Sequence, residues 1–188
     1  AYHLLKAIDR LRRKGEPRMQ HFRLSLVGLE DGPTRRIVEA SPVRDLVQLV
    51  GFVPYQDSLA WIRHADALFV PLFDLPAGHR SRIIPSKTYE YLASGRPLLG
   101  ALPEGDARDL VESYPLGVTA GPCDEKALAR GVLRVMELSE GGRVDEHASR
   151  PWIEPYDWRR LCERFFHFAD ELAYPGDGSE YAREVAAL

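Results

Sequence analysis

The sequence predicts an α/β protein with a Rossmann-like, doubly wound parallel sheet. Two observations lead to this prediction. Short apolar runs of the kind that form buried strands alternate along the chain with longer segments of helical periodicity. Two of the early strands, which end near Val27 and Val50, also run directly into a glycine, as a strand does where it enters a loop. Strands and helices that alternate at this spacing are typical of a parallel sheet covered on both faces.

The apolar positions predict the elements in order. Leucine and isoleucine recur on one stripe between Tyr2 and Lys14, which predicts a first helix. The same criteria predict the following strands and helices: strand 22–27, helix 33–40, strand 46–50, helix 57–64, strand 67–71, helix 86–94, strand 97–101, helix 106–113, strand 117–119, helix 125–138 and helix 158–172. We therefore expect one domain over residues 1–173 and an appended tail over residues 174–188.

Composition narrows the class of protein. A chain of 188 residues with 45% hydrophobic residues suits one domain with a real core and leaves no room for a second full domain. Its net charge of -3 gives no reason to expect a nucleic-acid partner.

Two cysteines, Cys123 and Cys162, are too few for a disulfide framework or a zinc site, so we expect no metal and a cytoplasmic location. Because the sequence begins with Ala1 rather than Met and enters a predicted helix at once, we expect a piece of a longer polypeptide.

The long segment 72–85 leads into the predicted helix where a ligand is expected. In an open parallel sheet, ligands lie past the carboxyl ends of the strands, and residues 28–33, 51–55 and 72–86 form loops there. Ser86 is a good N-cap residue for a helix start, whose free N–H groups and dipole favour an anion. Lys87 lies in the first turn, where a cation is disfavoured unless a negative group such as a phosphate is nearby. The pattern predicts an anion site.

Glu90 has two interpretations. It lies three residues after Lys87, on the same side of the helix. The pair is either a surface ion pair worth about 0.3–0.5 kcal/mol, or Glu90 accepts hydrogen bonds from ribose hydroxyls, as an acid does in dinucleotide-binding folds. The spacing of Lys87 and Glu90 alone does not decide between these two interpretations.

The wider motif carries a resemblance. The run PSKTYEYLASGRP at 85–97, followed by an apolar strand, resembles the donor-site helix of glycosyltransferase family four and its relatives. Segments 26–28 and 50–54 resemble the two glycine loops of that family, and segment 65–71 resembles the strand before its donor loop. The resemblance spans roughly Tyr2 to Leu138 and implies the C-terminal, donor-binding half of a two-domain GT-B fold.

The resemblance implies roles for individual residues. The residue that matches Glu90 binds the ribose, and the loop that matches Phe52 and Val53 contacts the base through its backbone. In the family, the start of the helix and a basic residue hold the diphosphate, and these roles fall on Ser86, Lys87 and Thr88. Gly28, in the segment that resembles the first glycine loop, is also assigned to the donor site.

One position departs from the family pattern. Many members carry a second glutamate eight positions before the ribose-binding one, where it contacts the donor sugar, but this chain has Arg82 there. Because the second acid is absent, the resemblance does not fix the identity of the sugar, and it gives less support to the retaining stereochemistry that the family implies. His79, Arg80 and Arg82 are therefore assigned either to the diphosphate or an acidic sugar, or to a solvated basic loop. Asp74 either contacts the sugar or shapes a turn, and we favour its interpretation as a turn residue.

The implied function is transfer of a sugar from a UDP- or GDP-linked donor to an acceptor hydroxyl, without a further cofactor. In the family, the glycan or lipid-linked acceptor and most catalytic groups belong to an N-terminal domain, so we assign no catalytic residue here. We expect the chain alone to bind nucleotide without transferring sugar, and the full-length protein to work at the inner membrane face. The last helix resembles terminal helices that pack toward that domain, which predicts an exposed apolar face and a homo-oligomer.

Two other functions remain open. A nucleotide-sugar epimerase or a phosphorylase of related GT-B fold would share the sheet and the anion site. A non-catalytic module that binds a nucleotide or a protein partner would share them as well.

Overall fold

The computed structural model describes residues 2–28, 31–141 and 152–173, so the predicted tail at 174–188 lies outside the described residues. The helices are α1 (Tyr2–Arg13), α2 (Gly32–Glu39), α3 (Tyr55–His64), α4 (Ser86–Ala93), α5 (Asp106–Ser113), α6 (Glu125–Glu140) and α7 (Trp158–Ala173). The strands are β1 (Leu24–Val27), β2 (Val47–Gly51), β3 (Leu68–Pro71), β4 (Leu98–Ala101) and β5 (Gly117–Ala120). Every helix and strand predicted from the sequence forms, with ends shifted by at most two residues.

The strands are all parallel, which confirms the predicted α/β class. β1 pairs with β2, and β3, β4 and β5 pair in that order. Among the described strands, no pairing joins β1 or β2 to the other three, so the structure has two sheets where the sequence predicted one. Packing connects them instead, because Leu26 of the first sheet and Leu99 of the second contribute to the same apolar core.

Helix α1 provides much of that core. Its buried stripe consists of Leu4, Leu5, Ile8 and Leu11, and the helix packs against α6. Burying an aliphatic side chain of this size stabilises the fold by about 1.5–3 kcal/mol. The packing fixes α1 and α6 side by side.

A second apolar core holds helix α4 in place. Leu92 of α4 is fully buried with Leu98 of β4, with Leu102 directly after that strand and with Val111 of α5. One turn earlier on α4, the rings of Tyr89 and Tyr156 lie 4.8 Å apart between centroids. Helix α4 is therefore held by its buried leucine and by a tyrosine ring contact.

The last helix, α7, exposes an apolar face. Trp158 is 77% exposed, and Phe165, Phe168 and Leu172 are exposed on the same helix. This is the apolar face that the sequence predicted, and self-association through it stays a prediction. Within the part of the chain that the structure describes, no helix has the length and apolar character needed to cross a membrane.

Glu112 connects α5 to β5 and leads to a prediction about acid stability. The Thr119 hydroxyl donates to Glu112 Oε1 at 2.5 Å, and Arg108 Nε donates to the same oxygen at 2.8 Å. The hydrogen bond from Thr119 and then that from Arg108 lower the pKa of Glu112 from its ordinary value of 4.5. Since the folded pKa is the lower one, this stabilisation is present above the ordinary value and is lost as pH falls through the folded pKa.

We therefore expect Glu112→Gln to flatten the fall in the free energy of unfolding below pH 4.5. The difference should be under about 1 kcal/mol because the carboxylate is half exposed. Urea unfolding over a series of pH values measures it, with Glu140→Gln on α6 as the control. Equal acid slopes for Glu112→Gln and the wild type would contradict the assignment.

Candidate functional site

The two glycine loops lie side by side at the carboxyl edge of the first sheet. The Gly28 N–H donates to the Gly51 carbonyl at 2.9 Å. Gly28 has φ 137° and Gly51 has φ 81°, which are backbone conformations that other residues rarely adopt. The requirement for glycine at both positions comes from these turns, and no side chain projects from either glycine.

The second glycine loop contacts the start of α4 through an aromatic residue. Helix α3 begins at Tyr55, directly after this loop, and Lys87 Nζ lies 5.5 Å from the centroid of the Tyr55 ring. A cation over an aromatic ring at this distance is attracted to it. The contact brings the loop of Phe52 and Val53 beside the residues predicted to hold a diphosphate. Sequence reasoning missed Tyr55, although an aromatic residue directly after the loop was the available signal.

The start of α4 is open to an acceptor. Its N-cap is Pro85, which forms no side-chain cap hydrogen bond, and Ser86 is the first helical residue. The prediction that Ser86 is the N-cap is therefore wrong by one position, because proline already has the φ that leads into a helix. The N–H groups of Ser86 and Lys87 have no acceptor within the helix. An anion at this end of the helix would accept them.

Lys87 and Glu90 form the ion pair that the sequence allowed. Lys87 Nζ donates to Glu90 Oε2 at 2.8 Å, with the two side chains 45% and 25% exposed. The hydrogen bond to Glu90 raises the pKa of Lys87, with burial opposing the rise, so the ammonium stays charged at neutral pH. Both side chains are accessible to a ligand.

Thr88 is placed differently from its neighbours. Its side chain is 0% exposed, and its hydroxyl has no hydrogen-bond partner among the described residues. Its N–H donates to the Pro85 carbonyl at 2.9 Å. In this conformation neither group of Thr88 faces the open end of the helix, so Ser86 and Lys87 supply the accessible donors there.

The buried hydroxyl leads to a stability prediction. Thr88→Val keeps the shape of the side chain and removes a polar group without a partner, so we expect the free energy of unfolding to rise by about 1 kcal/mol. Thr119→Val is the matched control, because it breaks a hydrogen bond to Glu112 and should lower stability. Urea unfolding measures both. A destabilised Thr88→Val would mean that the hydroxyl has a partner.

The loop 72–85 is fastened to the start of α5. Ser81 forms a parallel bridge with Gly105, and the Asp106 N–H donates to the Ser81 carbonyl at 2.9 Å. Arg80 lies 2.5 Å from Asp109 and 3.9 Å from Glu104, so it is directed toward acids of this region. Asp74 accepts a hydrogen bond from the N–H of its neighbour Leu75 at 3.1 Å, but the turn of this loop lies at residues 77–78, so the interpretation of Asp74 as a turn residue is not confirmed.

Arg82 differs from Arg80. It is exposed, and within the described ranges it forms no ion pair. Large apolar side chains on the nearby loops are also exposed, including Phe52 at 74% and Phe73 at 91%. Within the described loop 72–85, Arg82 is therefore the arginine that remains available to a ligand. No three His, Cys, Asp or Glu residues of the described segments converge as metal ligands.

Parallel strands flanked by helices define a Rossmann-like α/β domain, and an open helix start follows β3. Compared with protein-family models, the chain matches glycosyl transferases group 1 over residues 1–138. The chain belongs to this family, and its fold is that of the C-terminal half of a GT-B glycosyltransferase. The matched range includes all five strands and α4. None of the curated proteins compared with the chain matches it.

Proposed function

We propose that this chain binds a nucleoside-diphosphate sugar, UDP- or GDP-linked, for transfer of the sugar to an acceptor hydroxyl. The observation that supports this most is the start of α4, where Pro85 provides no side-chain cap and Lys87 lies in the first turn beside Glu90. Membership of the glycosyl transferases supports the transfer step. The two together favour a donor site at this helix start.

When the donor binds, the ion pair between Lys87 and Glu90 separates, and each side chain contacts the ligand instead. A half-exposed pair such as Lys87 with Glu90 contributes only about 0.3–0.5 kcal/mol, whereas a hydrogen bond to a charged group contributes about 1.5–3 kcal/mol. Separating the pair is therefore favourable when both partners gain better ones. Lys87 turns to the diphosphate together with the N–H groups at the helix start, and Glu90 accepts hydrogen bonds from the ribose hydroxyls.

The base and the sugar occupy opposite sides of this centre. The loop of Phe52 and Val53 contacts the base through its backbone, next to the first glycine loop at Gly28. Arg82 faces the terminal phosphate or an acidic group on the sugar. Arg80 has a smaller role, because Asp109 and Glu104 already hold its guanidinium.

The site promotes transfer by stabilising the leaving group. When the bond from the anomeric carbon to the diphosphate oxygen breaks, negative charge develops on that oxygen. The helix dipole and Lys87 are aligned to stabilise this charge. The acceptor, a glycan or a lipid-linked hydroxyl, and the remaining catalytic groups come from an N-terminal domain, and transfer retains the anomeric configuration. We place the reaction in the cytoplasm, at the inner membrane face.

A transfer assay on a polypeptide that includes the N-terminal domain tests this function. We expect a UDP- or GDP-linked donor to lose its sugar to an acceptor, or to water where no acceptor is present. The 188-residue chain alone should bind the same nucleoside diphosphate and transfer nothing. An epimerised donor would indicate an epimerase, a sugar phosphate formed from glycan and inorganic phosphate would indicate a phosphorylase, and binding without turnover would indicate a non-catalytic module.

A further inference from the structure

A basic groove lies between helices α1 and α6, and no residue of the proposed donor site lines it. Its volume is about 460 Å³, and the turn 15–17 forms one end. Four cationic side chains lie along it: Arg10, Lys14, Lys126 and Arg130. Binding sites for small molecules have volumes of about 300–1,000 Å³, so the groove is large enough for a phosphate together with the group that carries it.

The four cations have no acidic partners among the residues that the structure describes. All four side chains are exposed, and none forms an ion pair with a residue in the described parts of the chain. Neighbouring cations of α1 are neutralised, since Arg12 lies 2.8 Å from Asp45 and Arg13 lies 2.8 Å from Asp9. These two cations of α1 are paired, whereas the four that line the groove are not paired within the described ranges.

The one acid of the groove does not neutralise it. Glu16 lies 2.7 Å from Arg18, and this contact lowers the pKa of Glu16. Its charge is therefore already paired with a cation outside the groove lining. Four positive charges remain together on a chain whose net charge is -3. Like charges held close together repel one another, and a bound anion relieves that repulsion.

The floor of the groove is apolar and well packed. It consists of Leu11, Ala129 and Leu133, of which the first two are buried. Next to Lys126, in the first turn of α6, Glu125 lies 3.3 Å from His3 and 3.4 Å from Lys6 of α1. These contacts fix the two helices relative to each other. The cations therefore project from two packed helices, with apolar side chains between them.

We propose that this groove binds a phosphate-bearing anion at a site separate from the donor site. The ligand is either a soluble polyphosphate or the phosphate headgroup of a lipid. Arg10 and Arg130 donate paired N–H groups to phosphate oxygens, a geometry that suits guanidinium groups. Lys14 and Lys126 add compact positive charges, and the apolar floor contacts the carbon atoms next to the phosphate.

The test uses the 188-residue chain and two probes. Calorimetry measures binding of inorganic tripolyphosphate. Flotation measures binding to vesicles of phosphatidylcholine and phosphatidic acid in a four-to-one ratio, with pure phosphatidylcholine vesicles as the blank. The double variant Arg10→Gln/Arg130→Gln removes two groove cations. Arg23→Gln/Arg164→Gln removes the same charge elsewhere and is the matched control.

We expect the groove variant to lose affinity for at least one probe by about tenfold or more, while the control variant stays close to the wild type. The groove variant should keep its affinity for nucleoside diphosphate, and Lys87→Ala should keep the groove binding. A loss with tripolyphosphate alone identifies a soluble ligand, and a loss with vesicles alone identifies a lipid. Absence of saturable binding to both probes, or equal losses in the two double variants, would overturn the proposal.

Discussion

Replacing Lys87 by alanine is expected to weaken binding of the nucleoside diphosphate by roughly 1–3 kcal/mol, or about five- to 150-fold. The substitution removes the only side-chain cation in the first turn of α4, where the diphosphate is proposed to lie. The backbone N–H groups remain, so weakened binding rather than complete loss is expected. Calorimetry with UDP, GDP and ADP measures the effect, and we expect one of the three to bind best.

Lys6 offers a closely matched control. Like Lys87, it lies near a glutamate and a tyrosine ring, 3.4 Å from Glu125 and 4.6 Å from the centroid of Tyr2. Lys6→Ala should therefore remove the same kinds of contact without changing nucleotide affinity. A similar loss in both variants would show that the effect comes from lost structure rather than from a diphosphate contact.

Glu90→Ala separates the role of Glu90 toward the ribose from its role as the partner of Lys87. If Glu90 binds ribose, the wild type prefers the ribonucleotide over its 2′-deoxy or 3′-deoxy form and the variant loses this preference. If Glu90 serves only as the ion-pair partner, the variant keeps it. Unchanged affinity in both Lys87→Ala and Glu90→Ala would contradict the site.

Replacing Gly105 by alanine is expected to lower the free energy of unfolding by about 2 kcal/mol or more. Gly105 has φ 145°, and a Cβ atom there would lie 2.0 Å from the Ser81 carbonyl oxygen. The backbone must shift to accept it, which breaks the attachment of the loop 72–85 to α5. Urea unfolding measures the loss, and calorimetry shows whether nucleotide affinity falls with it.

Gly78→Ala in the same loop is the control for Gly105→Ala. Gly78 has φ 84°, but nothing lies within 4 Å of the Cβ position. The substitution adds backbone strain without a clash, so its cost should be only about 1–2 kcal/mol. If the two variants are equally stable, close approach of Ser81 is not what requires glycine at position 105.

Local patterns predicted the elements of the fold but not how they are arranged. The leucine stripe of α1 and the apolar runs of the strands depend on near neighbours in the chain, and all of these elements form. Division of the strands into two sheets depends on pairing between distant segments, about which periodicity says nothing. The same holds for Arg80, whose partner Asp109 lies 29 residues further on.

In the candidate site too, contacts between near neighbours in the chain were predicted from the sequence, and contacts between distant segments were not. Lys87 and Glu90 are three residues apart on a helix, so the sequence predicted that their side chains could meet. The contact between Lys87 and Tyr55 depends on how α3 and α4 pack and was not predicted. The burial of Thr88 could have been found, because Thr88, Tyr91 and Leu92 follow the spacing of one helix face.

Mapping of backbone amide shifts tests the central claim most directly. Heteronuclear NMR spectra of the 188-residue chain are recorded while the best-binding nucleoside diphosphate is titrated. A donor site at the start of α4 predicts that the largest saturable shifts occur at Ser86 and Lys87, with further shifts at Phe52 and Val53. Saturable shifts confined to other parts of the chain, with the amides of Ser86 and Lys87 unmoved, would contradict it.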